Sequence, residues 1–392
     1  MKILVLTPTF LPAVGGAELV LFEVYRRLAA RHEVVLLTPL LSPHLLSHYA
    51  SDEYGDEAIP FAVRRFRDRI TFFKVPGHRL SLGALPPFSL SAVAATSEAI
   101  RDLRPDVLNV HYLVPTGLAG WYAARRHGIP TVMTMNGRDV PGPGVPRLWR
   151  WWQRALLAAA TDVTYVSGYC ETAIYGPSGG PGRVIYNGVA IPPPAGDAAR
   201  ARRRLGLDGD RFLIFALGRL AKEKRVDVLV RAMRRYLDAG GEGSMAIGGT
   251  GPESESLERL AKQLGLGDRL RFCGFIPTPE LADYFAACDT FTFHSTYETF
   301  GIVIAQAMSY GKPVVTARNT ALPEVLGDAG LLADACDPRG FAAAFLELSA
   351  DVELRRRLGA AGRRRAEELF DWDKIALQYE AVLERAAARG GP

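Results

Sequence analysis

The chain has 392 residues, more than the roughly 250 to 300 that one hydrophobic core supports, so two domains are expected. Hydrophobic residues make up 48% and charged residues 23% of the sequence, a composition of globular enzymes that excludes disordered and fibrous proteins. The net charge of +5 suits phosphate, anionic lipid or nucleic acid and does not choose among them.

The four cysteines are scattered, with no pair at the spacing of a zinc or redox site, which favours a reducing compartment. An apolar run at residues 3–6 is interrupted by Pro8 and Pro12 before any cleavage pattern. No stretch approaches the roughly 18 to 20 apolar residues of a membrane-spanning helix. We therefore expect a cytoplasmic protein whose only membrane contact is peripheral, on the inner face.

Short apolar runs alternate with amphipathic stretches, which favours an α/β fold with parallel sheets covered by helices on both faces. The first half of the chain contains five predicted strands, at residues 3–6, 34–37, 107–110, 131–135 and 163–166. A glycine pair, Gly15 and Gly16, separates the first strand from a helix whose apolar residues recur at helical spacing.

A stretch rich in proline, alanine and arginine, residues 189–209, separates this series from a second one. The second half contains predicted strands at residues 212–217, 245–248, 270–273, 290–293 and 313–316. A final helix over residues 373–389 either caps the second domain or crosses back onto the first, and the pattern leaves both placements open.

Gly15 and Gly16 lie where a strand leads into a helix. Free backbone amides and the helix dipole favour an anion such as a diphosphate at this position. An ordinary turn explains the glycine pair equally well.

Two cations flank the end of the strand at residues 212–217: Arg219 follows Gly218, and Lys224 comes five positions later. A guanidinium and an ammonium at one strand end suit a pyrophosphate, because charge-assisted hydrogen bonds stabilise the charge that grows on a departing nucleotide. Plain surface charge is the alternative.

Glu298 precedes a predicted helix, and Gln306 lies eight positions later, about two helical turns away. Polar groups in such positions can bind the hydroxyls of a sugar and a ribose. An acid near a helix N-terminus and an ordinary exposed glutamine would give the same pattern.

These residues belong to a series of motifs whose order and spacing resemble glycosyltransferase family 4 over nearly the whole chain. The motifs are Gly15-Gly16-Ala17-Glu18, Asn187-Gly188-Val189, Gly218-Arg219-Leu220 with Lys224, Gly249-Thr250-Gly251-Pro252, Glu298-Thr299-Phe300-Gly301, Ala307-Met308, Gly311-Lys312-Pro313-Val314-Val315 and Phe370-Asp371-Trp372.

The resemblance implies a retaining, metal-independent enzyme of the GT-B architecture, in which two Rossmann-like, doubly wound domains face each other across a cleft. Residues 1–190, with a returning C-terminal helix at about 371–390, would bind the acceptor. Residues 191–370 would bind the donor, a UDP-, GDP- or ADP-linked sugar that serves as co-substrate, and no cofactor would be needed.

By the same resemblance, the catalytic residues would be His111, near the donor sugar, Arg219 and Lys224, on the diphosphate, and Glu298, on the sugar. Asn136 and Asp139 are candidates for the acceptor side, and no residue is assigned to a metal. The donor-binding residues would be Gly15, Gly16, Gly218, Gly251, Thr299, Phe300, Gly301 and Gln306.

The sequence departs from the family pattern at four positions. Gln306 replaces a glutamate, Asn136 a histidine, Arg225 a glycine and Ala190 an aspartate. A neutral amide at 306 gives up charge assistance, so binding of the ribose hydroxyls should be weaker. Because of these departures, an altered donor or a weakly active relative remains an alternative.

Residues 147–154 interleave tryptophan with arginine on a predicted helix. Such a face suits a membrane interface beside a lipid-linked acceptor. A core-packing helix with a basic outer side remains the alternative. Residues 72–74 and 80–90 would extend the same apolar surface.

The sequence therefore predicts a glycosyltransferase that moves a hexose to a hydroxyl of a lipid-linked, cell-envelope or exopolysaccharide glycan. The alternatives are a sugar phosphorylase or epimerase of the same fold, and a nucleotide-sugar-binding protein without turnover. Nucleic acid is not an expected partner, because the basic residues form no recognition motif.

Overall fold

The computed structural model describes residues 1–13, 15–41, 58–69, 71–72, 88–137, 139–140, 142, 145, 147–193, 198–207 and 211–389. The chain divides into two compact units. Unit 1 comprises Met1–Asn187 and Trp372–Pro392, and unit 2 comprises Gly188–Asp371.

The strands are numbered in chain order. They are β1 (Lys2–Leu6), β2 (Glu33–Pro39), β3 (Ala62–Phe66), β4 (Thr71–Phe72), β5 (Phe88–Ser89), β6 (Val107–His111), β7 (Thr131–Met135), β8 (Asp162–Tyr165), β9 (Arg183–Val184), β10 (Phe212–Leu217), β11 (Gly243–Gly248), β12 (Leu270–Gly274), β13 (Thr290–Phe293), β14 (Val314–Ala317) and β15 (Gly330–Ala333).

The helices are numbered in the same way. They are α1 (Gly16–Leu28), α2 (Leu90–Leu103), α3 (Leu113–Tyr122), α4 (Arg147–Leu157), α5 (Gly168–Tyr175), α6 (Ala198–Leu205), α7 (Val226–Asp238), α8 (Ser254–Gln263), α9 (Thr278–Ala287), α10 (Ile302–Ser309), α11 (Leu322–Leu326), α12 (Pro338–Ala350), α13 (Val352–Leu369) and α14 (Trp372–Arg389). Short turns of other helical types are Ala123–His127, Lys222–Lys224 and Gly267–Arg269.

Unit 1 contains a parallel sheet with the strand order β3-β2-β1-β6-β7-β8-β9, and β4 pairs with β5 in a separate antiparallel ribbon. Unit 2 contains a parallel sheet with the order β12-β11-β10-β13-β14-β15. The central strands are mostly apolar and their side chains are buried, as in parallel strands covered on both faces. The expected pair of Rossmann-like, parallel-sheet domains is confirmed.

In both sheets the first strand of the unit lies in the middle, and the strand order reverses beside it. Chain connections leave β1 and β6 in opposite directions, and the same holds for β10 and β13. A crevice forms outside the carboxyl ends of the strands at such a reversal, and ligands of open α/β sheets bind there. A ligand-binding site is therefore expected at this edge of each sheet.

The C-terminal helix, α14, packs on unit 1. Glu380 of α14 accepts hydrogen bonds from Arg31 (Nη2 to Oε2, 2.6 Å) and pairs with His32 (Nε2 to Oε1, 2.6 Å). Asp373 accepts a hydrogen bond of 2.6 Å from Arg27 Nε. Within the described ranges, no helix is both long and apolar enough to cross a membrane.

Candidate active site

In unit 2, a glycine turn fixes the loop that carries Arg219. The Leu220 amide donates to the Thr250 carbonyl over 2.9 Å. Gly249 has φ of 118°, and a Cβ there would clash with the Gly218 carbonyl. A Cβ on Gly251 would clash with the Leu220 carbonyl in the same way. Close approach of two backbones therefore requires glycine in this turn.

Lys224 and Glu298 are in direct contact. Lys224 ends the helical turn Lys222–Lys224, and its Nζ lies 2.6 Å from Glu298 Oε2 and 5.1 Å from the centre of the Phe293 ring. Their side chains are 23% and 19% exposed, so water screens the pair only in part. Two of the predicted catalytic residues thus hold one another at the end of β13.

Arg219 is exposed, and among the described residues it forms no ion pair. Arg219 and Lys224 both line a small, partly open cavity at the ends of β10 and β13. The other residues of its wall are Ala216, Leu217, Gly218, Leu220, Val226, Leu229, Ile247, Gly248, Thr292, Phe293 and His294. The cavity therefore offers cationic groups beside an apolar floor.

Glu298 lies in the loop before α10, not on the helix itself. Thr299 and Phe300 are buried, and the Phe300 ring meets the edge of Phe370 at a centroid distance of 5.4 Å. Gly301, with φ of 88°, is the residue before the first turn of α10, and Gln306 is half-buried further along that helix. This packing sets where the Glu298 carboxylate stands.

In unit 1, Gly15 is the N-terminal cap of α1, and Gly16 is its first helical residue. The Glu18 carboxylate, in the first turn, accepts a hydrogen bond from Thr9 Oγ1. The other oxygen of the Glu18 carboxylate, Oε2, occupies the position that a Cβ on residue 15 would need. An acidic side chain therefore already uses part of the positive end of α1.

His111 ends β6 inside a buried hydrogen-bond network. Asn109 Nδ2 donates to the Val132 carbonyl, so Asn109 Oδ1 accepts the hydroxyl proton of Tyr25 (2.7 Å). Because that proton is used, His111 Nε2 must donate to the Tyr25 oxygen, 2.6 Å away. His111 Nδ1 is then an acceptor for Asn136 Nδ2, at 3.0 Å.

Burial lowers the pKa of His111 to about 3, and the hydrogen bond with Asn136 opposes that shift only in part. The ring is therefore neutral at physiological pH, with its tautomer set by Tyr25 and Asn109. Both ring nitrogens are engaged within the protein, by Tyr25 and Asn136. Tyr379 of α14 packs beside it at a ring-centroid distance of 6.3 Å.

Asp139 is buried and accepts backbone hydrogen bonds from Leu113 (2.9 Å) and Gly137 (2.8 Å). Burial raises its pKa, while these amides lower it. Because Leu113 begins α3, Asp139 caps that helix and ties it to the loop that carries the half-buried Asn136.

A family model described as Glycosyltransferase Family 4 matches residues 14–191, and one described as Glycosyl transferases group 1 matches residues 197–365. The D-inositol 3-phosphate glycosyltransferase of Xylanimonas cellulosilytica is 34% identical to this chain over 310 residues, 72% of this chain and 73% of that protein. This chain belongs to glycosyltransferase family 4.

The glycosyltransferase is also similar to N-acetyl-alpha-D-glucosaminyl L-malate synthase of Bacillus anthracis, with 26% identity over 95% of each chain. HepE of Anabaena, solved in complex with UDP and glucose, matches the fold with a TM-score of 0.76. The identity is 24%, and the match covers 98% of this chain and 100% of HepE. The glycosyltransferase therefore has the GT-B type of fold.

His294, which lines the cavity of the glycosyltransferase together with Lys224, was not predicted as a site residue from the sequence. The available signal was its position directly after β13, at the carboxyl edge of the sheet and four residues before Glu298. His294 lies outside the family motifs, the nearest of which begins at Glu298.

Helix α4 of the glycosyltransferase presents apolar side chains to solvent. Trp151 is 64% and Leu148 50% exposed, while Leu156 and Leu157 are buried. Arg154 donates to the Ile174 carbonyl and is anchored on unit 1. The predicted apolar extension lies mostly outside the described residues, since 73–87 are among those not described.

Proposed function

We propose that this glycosyltransferase is a retaining, metal-independent enzyme that transfers a hexose from a nucleotide-diphosphate sugar to an acceptor hydroxyl. The acceptor we propose is a lipid-linked, cell-envelope or exopolysaccharide glycan. The observation that carries the proposal is the cavity at the ends of β10 and β13, which Arg219 and Lys224 line, with Lys224 in contact with Glu298.

Charge and position support a diphosphate in this cavity. A guanidinium and an ammonium complement the two phosphates, and the Glu298 carboxylate can accept hydrogen bonds from sugar hydroxyls. HepE, which has the same fold, is described with UDP and glucose. UDP is therefore the first nucleotide to test.

The proposed reaction breaks the bond between the anomeric carbon and the diphosphate oxygen and forms a bond from that carbon to the acceptor oxygen. The acceptor proton passes to the departing diphosphate on the same face of the sugar. Arg219 and Lys224 stabilise the charge that develops on the leaving group, so these residues should govern the rate. No protein nucleophile takes part.

The test is release of nucleoside diphosphate from a panel of UDP-, GDP- and ADP-linked sugars, with and without a chelator. We expect turnover with one nucleotide, unchanged by chelation. Replacing both Arg219 and Lys224 with alanine should lower turnover by far more than about tenfold, or 1.4 kcal/mol. Lys222→Ala, on the same turn, serves as the matched charge control. Turnover within tenfold in the double variant would contradict the assignment.

The same assay separates the two rival functions. A phosphorylase would require inorganic phosphate and release a sugar phosphate, and an epimerase would release an epimerised sugar. A protein that only binds nucleotide sugars would show a thermal shift with a nucleotide sugar and no diphosphate release.

A second proposal concerns location: α4 contacts the membrane surface peripherally, near the acceptor. The exposed Trp151 and Leu148, flanked by Arg147 and Arg150, are suited to the boundary of headgroups and acyl chains. We expect flotation with anionic vesicles and its loss in a Leu148→Ser, Trp151→Ser variant. Leu377→Ser, an exposed leucine of α14, is the matched control. Absence of flotation for the unmodified protein would end this proposal.

A further inference from the structure

His294 is a buried polar residue in the cavity wall that the mechanism above does not use. It follows the last residue of β13, and 1% of its surface is exposed. It lines the cavity together with Lys224 and Phe293, and its ring packs against Phe341 at a centroid distance of 5.6 Å. A change in the His294 side chain therefore alters the wall of the cavity that Lys224 also lines.

The two ring nitrogens of His294 have different roles. Nε2 lies within hydrogen-bonding distance of the Ala335 carbonyl, which can only accept, so Nε2 carries a proton. In the neutral ring, Nδ1 is then an acceptor, and among the described residues it has no hydrogen-bond partner. Buried polar atoms without a partner cost about 1 to 3 kcal/mol and are rare without a functional reason.

The surroundings of the ring link it to Lys224. Burial and Arg225 lower the pKa of His294, and the backbone of Ala335, Asp227 and the backbone of Lys224 oppose this shift. The geometric link is the cavity wall, which His294 and Lys224 share. His294 is therefore hydrogen-bonded to the segment before α12, through Ala335, and lines the cavity together with the segment before α7.

The residues directly after His294 hold the same segment. The Glu223 carbonyl accepts hydrogen bonds from the Thr296 amide (2.8 Å) and from Thr296 Oγ1 (3.1 Å). Ser295 Oγ approaches the same carbonyl at 3.4 Å. The chain directly after β13 therefore contacts the segment that carries Lys224 through two consecutive residues, Ser295 and Thr296.

We propose that His294 is a positioning residue for Lys224: it anchors the end of β13 to Ala335 and thereby sets the Lys224 backbone, so that the ammonium stands beside Glu298 in the cavity. The inference rests on the proposed function, because it assumes that Lys224 binds the donor diphosphate. His294 itself need not touch the substrate.

The experiment is a double-mutant cycle on diphosphate release by the full-length protein. His294→Phe keeps an aromatic ring and removes the donor to Ala335, and we expect kcat/KM for the donor to fall by about tenfold. In a Lys224→Ala background the same substitution should change kcat/KM by less than about twofold, because His294 acts through Lys224. Equal losses in both backgrounds would overturn the proposal.

A conservative variant provides the second arm. The amide nitrogen of His294→Gln can reach the position of Nε2, whereas that of His294→Asn mimics Nδ1 and loses the Ala335 bond. We expect the glutamine variant to stay within about threefold of the unmodified protein and the asparagine variant to resemble phenylalanine. Activity that follows thermal stability across the series, without regard to the Ala335 donor, would contradict a positioning role. If His294→Phe does not fold, the cycle is run with His294→Asn.

The unmodified protein and His127→Gln, a histidine of unit 1, serve as controls. His127→Gln should leave kcat/KM unchanged. If the unmodified protein releases no diphosphate from any nucleotide sugar, the proposed function fails. If it is active and His294→Phe is equally active, only the inference about His294 fails.

Discussion

Arg225 adopts a left-handed backbone conformation, with φ of 43° and ψ of 43°, at the entrance to α7. This conformation costs a residue with a side chain roughly 1 kcal/mol relative to glycine. The Arg225 side chain pairs with Asp227 at 2.9 Å, but both side chains are about one-third exposed, so the pair contributes little. At Arg225, backbone strain therefore destabilises the folded state, while the ion pair with Asp227 stabilises it slightly.

We expect Arg225→Gly to be at least as stable as the unmodified protein and about 1 kcal/mol more stable than Arg225→Ala, which loses the pair and keeps the strain. Urea unfolding of the three proteins tests this order. Lys222→Ala should change stability by less than about 0.5 kcal/mol. If alanine at 225 is as stable as glycine, residue 225 carries no strain.

His111 gives stability a dependence on pH. Its folded pKa of about 3 is below the unfolded value of about 6.5. As pH falls through 6.5 the unfolded chain binds a proton that the folded chain does not, so stability is lost between pH 6.5 and 3. From pH 7 to 5 this loss amounts to about 2 kcal/mol.

In a His111→Gln variant, the unfolded chain has no imidazole at this position to take up that proton. Between pH 7 and 5, the free energy of unfolding of the variant should fall by about 2 kcal/mol less than that of the unmodified protein. Above pH 7 the difference between the two proteins should be constant. Chemical unfolding at several pH values measures the free energy of unfolding of both proteins. Parallel dependences on pH between 7 and 5 would show that the folded pKa of His111 is not lowered.

At the scale of elements, strands were easier to predict than the contacts of helices. The central strands are short and mostly apolar, and the predicted strand at 212–217 coincides with β10. Of the edge strands, β12 was predicted at residues 270–273, whereas β3 and β15 were missed. β3 contains Arg64 and Arg65, and β15 is only four residues long and begins with Gly330. Pairing on one side leaves such strands free of the apolar pattern that identifies a buried strand.

The candidate site, too, could be predicted from the sequence only in part. Residues that follow β10 and β13 could be located from the sequence because parallel strands carry ligands at their carboxyl ends. The Lys224–Glu298 contact and the network around His111 depend on pairs 74 and 86 positions apart, Lys224 with Glu298 and Tyr25 with His111. No local pattern encodes such pairs, and neither does it encode the position of His294.

The contact between α1 and α14 depends on Glu380. Its side chain is 12% exposed and accepts from both Arg31 and His32. Removing it leaves two donors without their acceptor, so we expect Glu380→Ala to cost about 1 to 3 kcal/mol. Glu384→Ala, one turn further along the same helix and exposed, should cost less than about 0.5 kcal/mol. Thermal denaturation compares the two, and equal midpoints would show that the Glu380 contacts are energetically neutral.

At the scale of the whole molecule, the chain leaves unit 1 at Asn187 and returns to it at Trp372. Unit 1 is therefore completed only when the last helix is made, whereas unit 2 is continuous in sequence. The apolar side chains that α14 buries are those of Trp372, Ile375, Ala376, Tyr379, Val382, Leu383 and Ala386. Their burial contributes roughly 10 kcal/mol, comparable with the whole stability of a typical domain.

A chain truncated after Asp371 should therefore keep unit 2 folded and lose the packing of unit 1. Hydrogen exchange followed by mass spectrometry measures this directly. We expect peptides from β6 and β7, which α14 covers, to exchange rapidly in the truncated chain, and peptides from β10 and β13 to remain protected. Leu377→Ser in the full-length chain changes a residue of α14 that is 51% exposed, and it should leave both sets protected. Persistent protection of β6 and β7 after truncation would mean that unit 1 is stable without its last helix, and that α14 is an addition to a core already complete within the first 187 residues.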